Sequence, residues 1–287
     1  MPTHLVNLDA LIQREDFESG DAVSGSGDPS FKLGELKSDS LYFSVLRKPD
    51  FQRDTADWSS ETIVEFVKSF LDGEVIPAII SWHSKDTNKV FIIDGAHRLS
   101  ALIAWVNDDY GNGEISQKFF AFKVPDAQVR FHNATQKLIA EQIGTYNSLV
   151  FTALNPTGQP EINVKRGRAI ATRQLPVQKV DGDAAVAEKS FFKINQNPAT
   201  ISDTELAVIQ ARKKPDAIAA RALIRAGTGH RYWSKFPQRA TEIEELAAKV
   251  YELLFGEIVD ISSQVPDLPR AGQPYSADAF AMILEMM

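Results

Sequence analysis

The sequence predicts an α/β (α+β) fold: a small sheet with helices over residues 31–155, followed by a mainly helical region over 156–287. Ile63, Phe66, Val67, Phe70 and Leu71 recur at helical spacing, which gives one amphipathic helix. Two β-rich runs come next, residues 75–82 and 89–93, divided by the polar turn 84–88. From Ala96 the apolar period returns to that of a helix at Leu99, Leu102, Ile103 and Val106. The unit is therefore helix, strand, turn, strand, helix.

Residues 1–30 are expected to form a flexible lead-in, because 17–29 are rich in Gly, Ser and Asp and break any early helix. Ser59 or Ser60 caps the first helix and Gly73 ends it; the helix after Ala96 stops near Gly111 and Gly113. Residues 135–146 and 184–195 are candidate helices. Ser202 with Glu205, and Thr241 with Glu244, match the capping box, in which hydroxyl and carboxylate satisfy reciprocal backbone donors. The last helix should bury Ile243, Leu246, Ala247, Val250 and Leu254. Between Asn155 and Gln178 lies a Pro- and Gly-punctuated basic segment with Lys165, Arg166, Arg168 and Arg173, and the domain boundary is placed there.

The formal charge of -7 argues against a chain that coats nucleic acid or an anionic membrane by bulk electrostatics. Any DNA contact should be local or delivered by a partner. The absence of cysteine removes disulfides and thiolate nucleophiles and fits a cytoplasmic location, as does the lack of a signal-like amino terminus or an apolar run of membrane-spanning length.

One stretch proposes a site. FIIDGAHRLSAL, residues 91–102, passes from an apolar strand through Asp94-Gly95 into a helix, so the first free N–H groups of that helix lie at the strand's carboxyl end, where an anion is favoured. Arg98 can add a bidentate phosphate contact, and His97 can donate a hydrogen bond or shuttle a proton. Asp94 repels phosphate unless it holds a metal, orients Arg98 or acts as a base, which favours a nucleotide with Mg²⁺ over bare phosphate. The bland alternative is a capped helix start with His97 and Arg98 on its solvent side.

The run IDGAHRLSAL resembles the DGQHR-type motif of the ParB/sulfiredoxin superfamily, in the branch found in prokaryotic DNA-modification and phage-defence systems; Ala96 stands where that pattern has Gln. KPDFQRDTADW, residues 48–58, resembles the P-x-F-Q-R…W segment of related restriction and defence proteins, which implies that Gln52 and Arg53 lie beside a nucleotide. SFFKINQNPATISDTEL, residues 190–206, resembles a further element of the same families, with Ile201 in place of Leu. Asn195 and Gln196 there either set an amide against a nucleotide or metal or serve a helix end.

The resemblance implies a ParB/sulfiredoxin-like nucleotide-binding domain and an ATPase using ATP and Mg²⁺. Gln52, Arg53, Gly95, Ala96, His97, Arg98 and Asn195 would surround the nucleotide, and Asp94 would orient or activate water or help hold the metal, with His97 as rival for the proton. Sulfiredoxin chemistry is excluded because its cysteine is Ala96 here, and no Walker A sequence is present. The closest likeness is to DndB-like proteins, including the ATPase partner of the transglycosylase that inserts 7-deazaguanine into DNA. Its alternatives are a DNA-binding regulator acting through Lys165, Arg166, Arg168 and Arg173, and a nuclease. GTGHRYW, residues 227–233, is read as a helix-ending loop, or else a base clamp through His230 and Arg231. The terminal SADAFAMILEMM is read as a core helix, with a partner or homo-oligomer contact as its alternative.

Overall fold

The computed structural model describes residues 5–15, 21–23, 30–49, 52, 55, 56, 58–195, 211, 214–227 and 237–255. They fall into two compact units, Met1–Ile194 and Asn195–Met287. The first is an α/β unit with a mixed sheet. Its strands are β1 (Leu5–Val6), β2 (Arg14–Glu15), β3 (Ser30–Lys32), β4 (Leu46–Pro49), β5 (Trp58–Ser59), β6 (Ile79–His83), β7 (Val90–Asp94) and β8 (Gln174–Lys179). Its helices are α1 (Leu41–Val45), α2 (Ser60–Asp72), α3 (Ala96–Asn107), α4 (Glu114–Phe119), α5 (Asp126–Gln142), α6 (Tyr146–Leu154) and α7 (Glu161–Thr172), with α8 (Ala184–Asn195) ending it. The sheet order is β2-β4-β7-β6-β8-β3, and β1 pairs separately with β5. Strands β2, β4 and β7 run parallel, whereas β6 opposes β7.

The central helix is α3. Leu99, Ala101, Leu102, Ile103 and Ala104 are all inaccessible to solvent, so it is apolar nearly all round, as a helix enclosed on every side must be. Against it pack the buried faces of α2 (Ile63, Val67, Phe70) and of β7 (Ile92). As the sequence predicts, Ser59 caps α2 by accepting from the Thr62 N–H, and Gly73 ends it with φ +98°.

Three segments differ from the sequence reading. Within the expected lead-in, Val6, Leu8, Leu11 and Ile12 are buried and β1 pairs with β5, a partner more than fifty residues away that no local pattern signals. The basic segment is ordered as α7 and β8, and β8 inserts between β6 and β3, so the first unit extends well past residue 155. The helix expected at 135–146 is two: α5 begins at Asp126, and after Gly144 (φ +102°) Thr145 caps α6 through the Ser148 N–H.

The second unit contains α9 (Pro215–Gly227) and α10 (Ala240–Phe255). Thr241 lies inside α10 rather than at its cap, because the 3₁₀ turn Pro237–Arg239 leads directly into Ala240. Ala247 and Tyr251 are buried, but Leu246 is exposed. The Ser202/Glu205 box and residues 228–236 and 276–287 lie outside the described residues.

On α5, His132 Nδ1 accepts the Tyr110 N–H at 3.2 Å, which requires a neutral imidazole. Burial lowers the His132 pKa below its ordinary value, against the opposing pull of Asp109 and Asp108. The unfolded chain therefore binds this proton more readily than the folded one. The stability His132 contributes is present above about pH 6.5 and is lost as pH falls from there through its folded pKa. His132→Asn, which keeps an acceptor that cannot protonate, is expected to flatten the pH dependence of thermal unfolding on the acid side of neutrality.

Candidate functional site: the end of β7 and the start of α3

The pairing of β6 with β7 slips at its carboxyl end, next to α3. Ile80 faces Asp94 while Ser81 faces Ile92, so Ile93 is an extra residue in β7. Such a bulge bends a strand and re-aims the residues beyond it. Here those residues are Asp94, then Gly95 at φ +86°, then the first turn of α3. Gly95 is required twice over: its backbone is left-handed, and a Cβ would lie 2.4 Å from Ile79 Cδ1.

The first intrahelical bond of α3 runs from the Leu99 N–H to the Gly95 carbonyl, and no side chain caps the helix. The N–H groups of Ala96, His97 and Arg98 thus precede the hydrogen-bonded ladder, and the positive end of a twelve-residue helix lies at Gly95. Arg98 Nη2 donates to Asp94 Oδ2 at 2.7 Å, one helical turn back, with both side chains partly exposed. Of the roles open to Asp94 from the sequence, this geometry gives it the orientation of Arg98. Ala96 is buried against the core.

Gln52 joins the same place from the segment after β4. Its Nε2 donates to the Ile93 carbonyl, the bulged residue, at a long 3.4 Å. Its Oε1 is buried and has no hydrogen-bond partner among the described residues. An unpaired buried amide oxygen is costly and calls for a donor. His97 stacks on Trp58, with centroids 5.9 Å apart and planes 26° apart, and Trp58 meets Phe66 edge to face. The structure therefore brings together Gln52, Asp94, Gly95, Ala96, His97 and Arg98. Arg53 lies outside the described residues, and Asn195 is the last residue of α8, with its side chain outside them.

The basic residues divide. Arg166 is buried in a bidentate pair with Asp72, Nε to Oδ1 at 2.9 Å and Nη2 to Oδ2 at 3.0 Å, and Nη1 donates to the Gln142 carbonyl. That hydrogen bond from Arg166 holds the Asp72 carboxyl below its usual pKa. Arg173 lies over the Phe70 ring and donates to the Glu74 carbonyl. These two arginines fasten α7 and β8 to the end of α2 and are not offered to a DNA backbone. Lys165 and Arg168 differ from them: both are exposed on α7, one turn apart, and neither makes an ion pair among the described residues.

Two residues the sequence reading passed over, Trp58 and Lys48, lie inside the KPDFQRDTADW segment. Asp9, Arg14 and Thr55 were also missed; Asp9 and Arg14 sit among the polar residues of the expected lead-in and give no local signal of burial. A separate cleft of about 840 Å³ lies at the far end of α3, beside Val106, Asn107, Leu46 and Arg47. Among the described residues, no group of three or more His, Asp or Glu is arranged to hold a metal ion, and no helix is long and apolar enough to cross a membrane.

Residues 33–211 match the family described as the GmrSD restriction endonuclease, N-terminal domain. This match covers more than half the chain and defines a restriction-type domain. The chain belongs to the GmrSD N-terminal-domain family, and so to the proteins of DNA restriction and defence. No curated protein and no solved structure matches it.

This geometry predicts the effect of two substitutions. Gly95→Ala combines left-handed strain with displacement of Ile79 and is expected to cost about 1–3 kcal/mol, read as a lowered midpoint in urea unfolding. Arg166→Ala removes the bidentate partner of Asp72 and is expected to cost about 2 kcal/mol. The effect should shrink as pH falls through the depressed Asp72 pKa, because the stability supplied by the pair is present only while that carboxylate stays ionised.

Proposed function

We propose that the site binds a nucleoside triphosphate with Mg²⁺ and hydrolyses it, ATP being the expected nucleotide, and that this activity serves a partner enzyme acting on DNA in a restriction or modification system. The carrying observation is the uncapped start of α3 joined to Arg98, a guanidinium held at hand by Asp94. The N–H groups at the positive end of a helix and a cationic fork are the donor set that a terminal phosphate requires. The buried, unpartnered Gln52 Oε1 beside it fits a ligand that supplies a donor, such as a ribose hydroxyl or a metal-bound water.

When the phosphate arrives, Arg98 exchanges its bond to Asp94 for the phosphate oxygens, so the guanidinium passes from one anion to another and is never left bare. The attacking water forms a bond to the terminal phosphorus as the bridging P–O bond breaks, and the nucleoside diphosphate leaves with that electron pair. The water's proton passes to Asp94, freed by Arg98, or to His97, whose ring is fixed by Trp58. Arg98 and the helix start stabilise the charge on the transferring group. Mg²⁺, held chiefly by the phosphates with Asp94 as a nearby carboxylate, would neutralise charge on the nucleotide.

The resemblance to DndB-like proteins narrows the pathway to 7-deazaguanine insertion, with a transglycosylase as the partner. Family membership supports the coarser restriction setting. A DNA-binding regulator is the second reading, favoured by Lys165 and Arg168 on α7.

Phosphate release from ATP and GTP with Mg²⁺, with and without double-stranded DNA, tests the first reading. Arg98→Ala is expected to lower kcat/KM by about 100-fold or more, while Asp94→Asn keeps the fold and lowers kcat. Absence of both hydrolysis and nucleotide binding in the wild type would sink the enzyme. Salt-sensitive DNA binding lost in Lys165→Ala/Arg168→Ala would then support the regulator.

A further inference from the structure

The family match starts at residue 33, yet two residues before it reach the site. Arg14 Nη1 donates to the backbone carbonyl of Gln52. Asp9 accepts along the other edge of that guanidinium, from Nε at 3.2 Å and Nη2 at 2.9 Å. Asp9 Oδ1 also accepts from Lys48 Nζ, from the Thr55 N–H at 3.2 Å and from Thr55 Oγ1 at 3.3 Å, and Lys48 Nζ donates to Thr55 Oγ1 at 3.0 Å. Lys48, Gln52 and Thr55 are thus each fastened, so the residue whose amide reaches Ile93 is held itself and on both sides. Asp9, Arg14, Lys48, Gln52 and Thr55 are all more than nine-tenths buried.

A buried ion cluster of this kind adds little stability over well-packed apolar residues of the same volume. What it does supply is direction: each bond fixes a backbone or hydroxyl group of the loop at a defined place. We propose that Asp9 and Arg14 are positioning residues of the nucleotide site, holding Lys48, Gln52 and Thr55 so that Gln52 meets the end of β7 at the start of α3. This rests on the reading of the site as a nucleotide site. The amino-terminal segment is then a working part of the site and not an appendage to the family domain. Because its contacts fall on the loop and not on Asp94 or Arg98, its loss should weaken nucleotide binding more than the chemical step.

The test uses the full chain and ATP with Mg²⁺. Arg14→Lys and Thr55→Val, both conservative, are expected to raise KM about tenfold with kcat within about twofold. Combined with Gln52→Ala, Arg14→Lys should add no further loss, since it acts through that residue. An unchanged KM in a folded variant, or an effect fully additive with Gln52→Ala, overturns the proposal. In the wild type, ATP should slow amide exchange in peptides covering 5–15 and 48–58 together with the start of α3, and this arm decides the matter should the variants fail to fold. Slowing confined to α3 overturns the proposal while leaving the nucleotide site intact. A wild type that neither binds nor hydrolyses ATP overturns both.

Discussion

Asp9, 2% exposed, accepts hydrogen bonds from Arg14, Lys48 and Thr55, while Lys48 is wholly inaccessible. Two cations in a region of low dielectric would be untenable without that carboxylate, since an uncompensated buried charge costs about 3–5 kcal/mol. Everything on the strand-end side of the sheet inherits this constraint. β2 is held beside β4 by the ladder from Arg14 to Lys48, and the same two residues carry the charges, so pairing register and ion pairing enforce one another. A slip of one residue would turn Lys48 from the interior to the opposite face and leave Asp9 facing backbone.

The second constraint is the bulge at Ile93. In a regular ladder, Asp94 and the residue before it would alternate faces and the Ile93 carbonyl would enter pairing with β6. The slip instead leaves that carbonyl to accept from Gln52 and sets Asp94 one helical turn from Arg98. The Asp94–Arg98 pair is partly exposed, where such a pair adds little stability. Its value lies in orientation: the guanidinium is kept at the helix start, where the macrodipole alone would repel it. A cation placed against a helix N-terminus is locally unfavourable, and an anion that satisfies both removes the conflict. Conflicts of this type between local rules and observed placement concentrate at functional sites.

Much of this was legible in the sequence, and the reason is locality. The helix start at Ala96, the cap at Ser59 and the stop at Gly73 depend on residues within a turn of one another, so spacing revealed them. Gln52, Gly95, His97 and Arg98 could be singled out from the sequence because they sit in short contiguous segments. The burial of Asp9 and Arg14 was not legible: they pair with each other across five positions, but Lys48 and the Gln52 carbonyl, which also engage them, lie 39 and 38 positions away, and a polar residue carries no local mark of so distant a partner. Arg166 misled for the same reason, because Asp72, which consumes it, is 94 positions distant. β8 likewise pairs with β6 across some ninety residues of mostly helical chain, so the basic segment looked like a linker.

The net charge of -7 then bears on how such a site works. An acidic chain repels a triphosphate at long range, but beyond about 8 Å in physiological salt that field is screened. On the proposed reading, capture then depends on short-range donors at the start of α3: the positive end of the helix and the Arg98 fork. Donors that must be in place before the ligand arrives need rigid support. Here that support comes from three directions: the enclosed helix α3, the bulged strand β7 and the Asp9 cluster beneath the loop. The cations in that cluster contribute little as long-range attractors, because Asp9 compensates them. They act through geometry, and the proposed phosphate site in an acidic domain relies on geometry where the overall field is unfavourable.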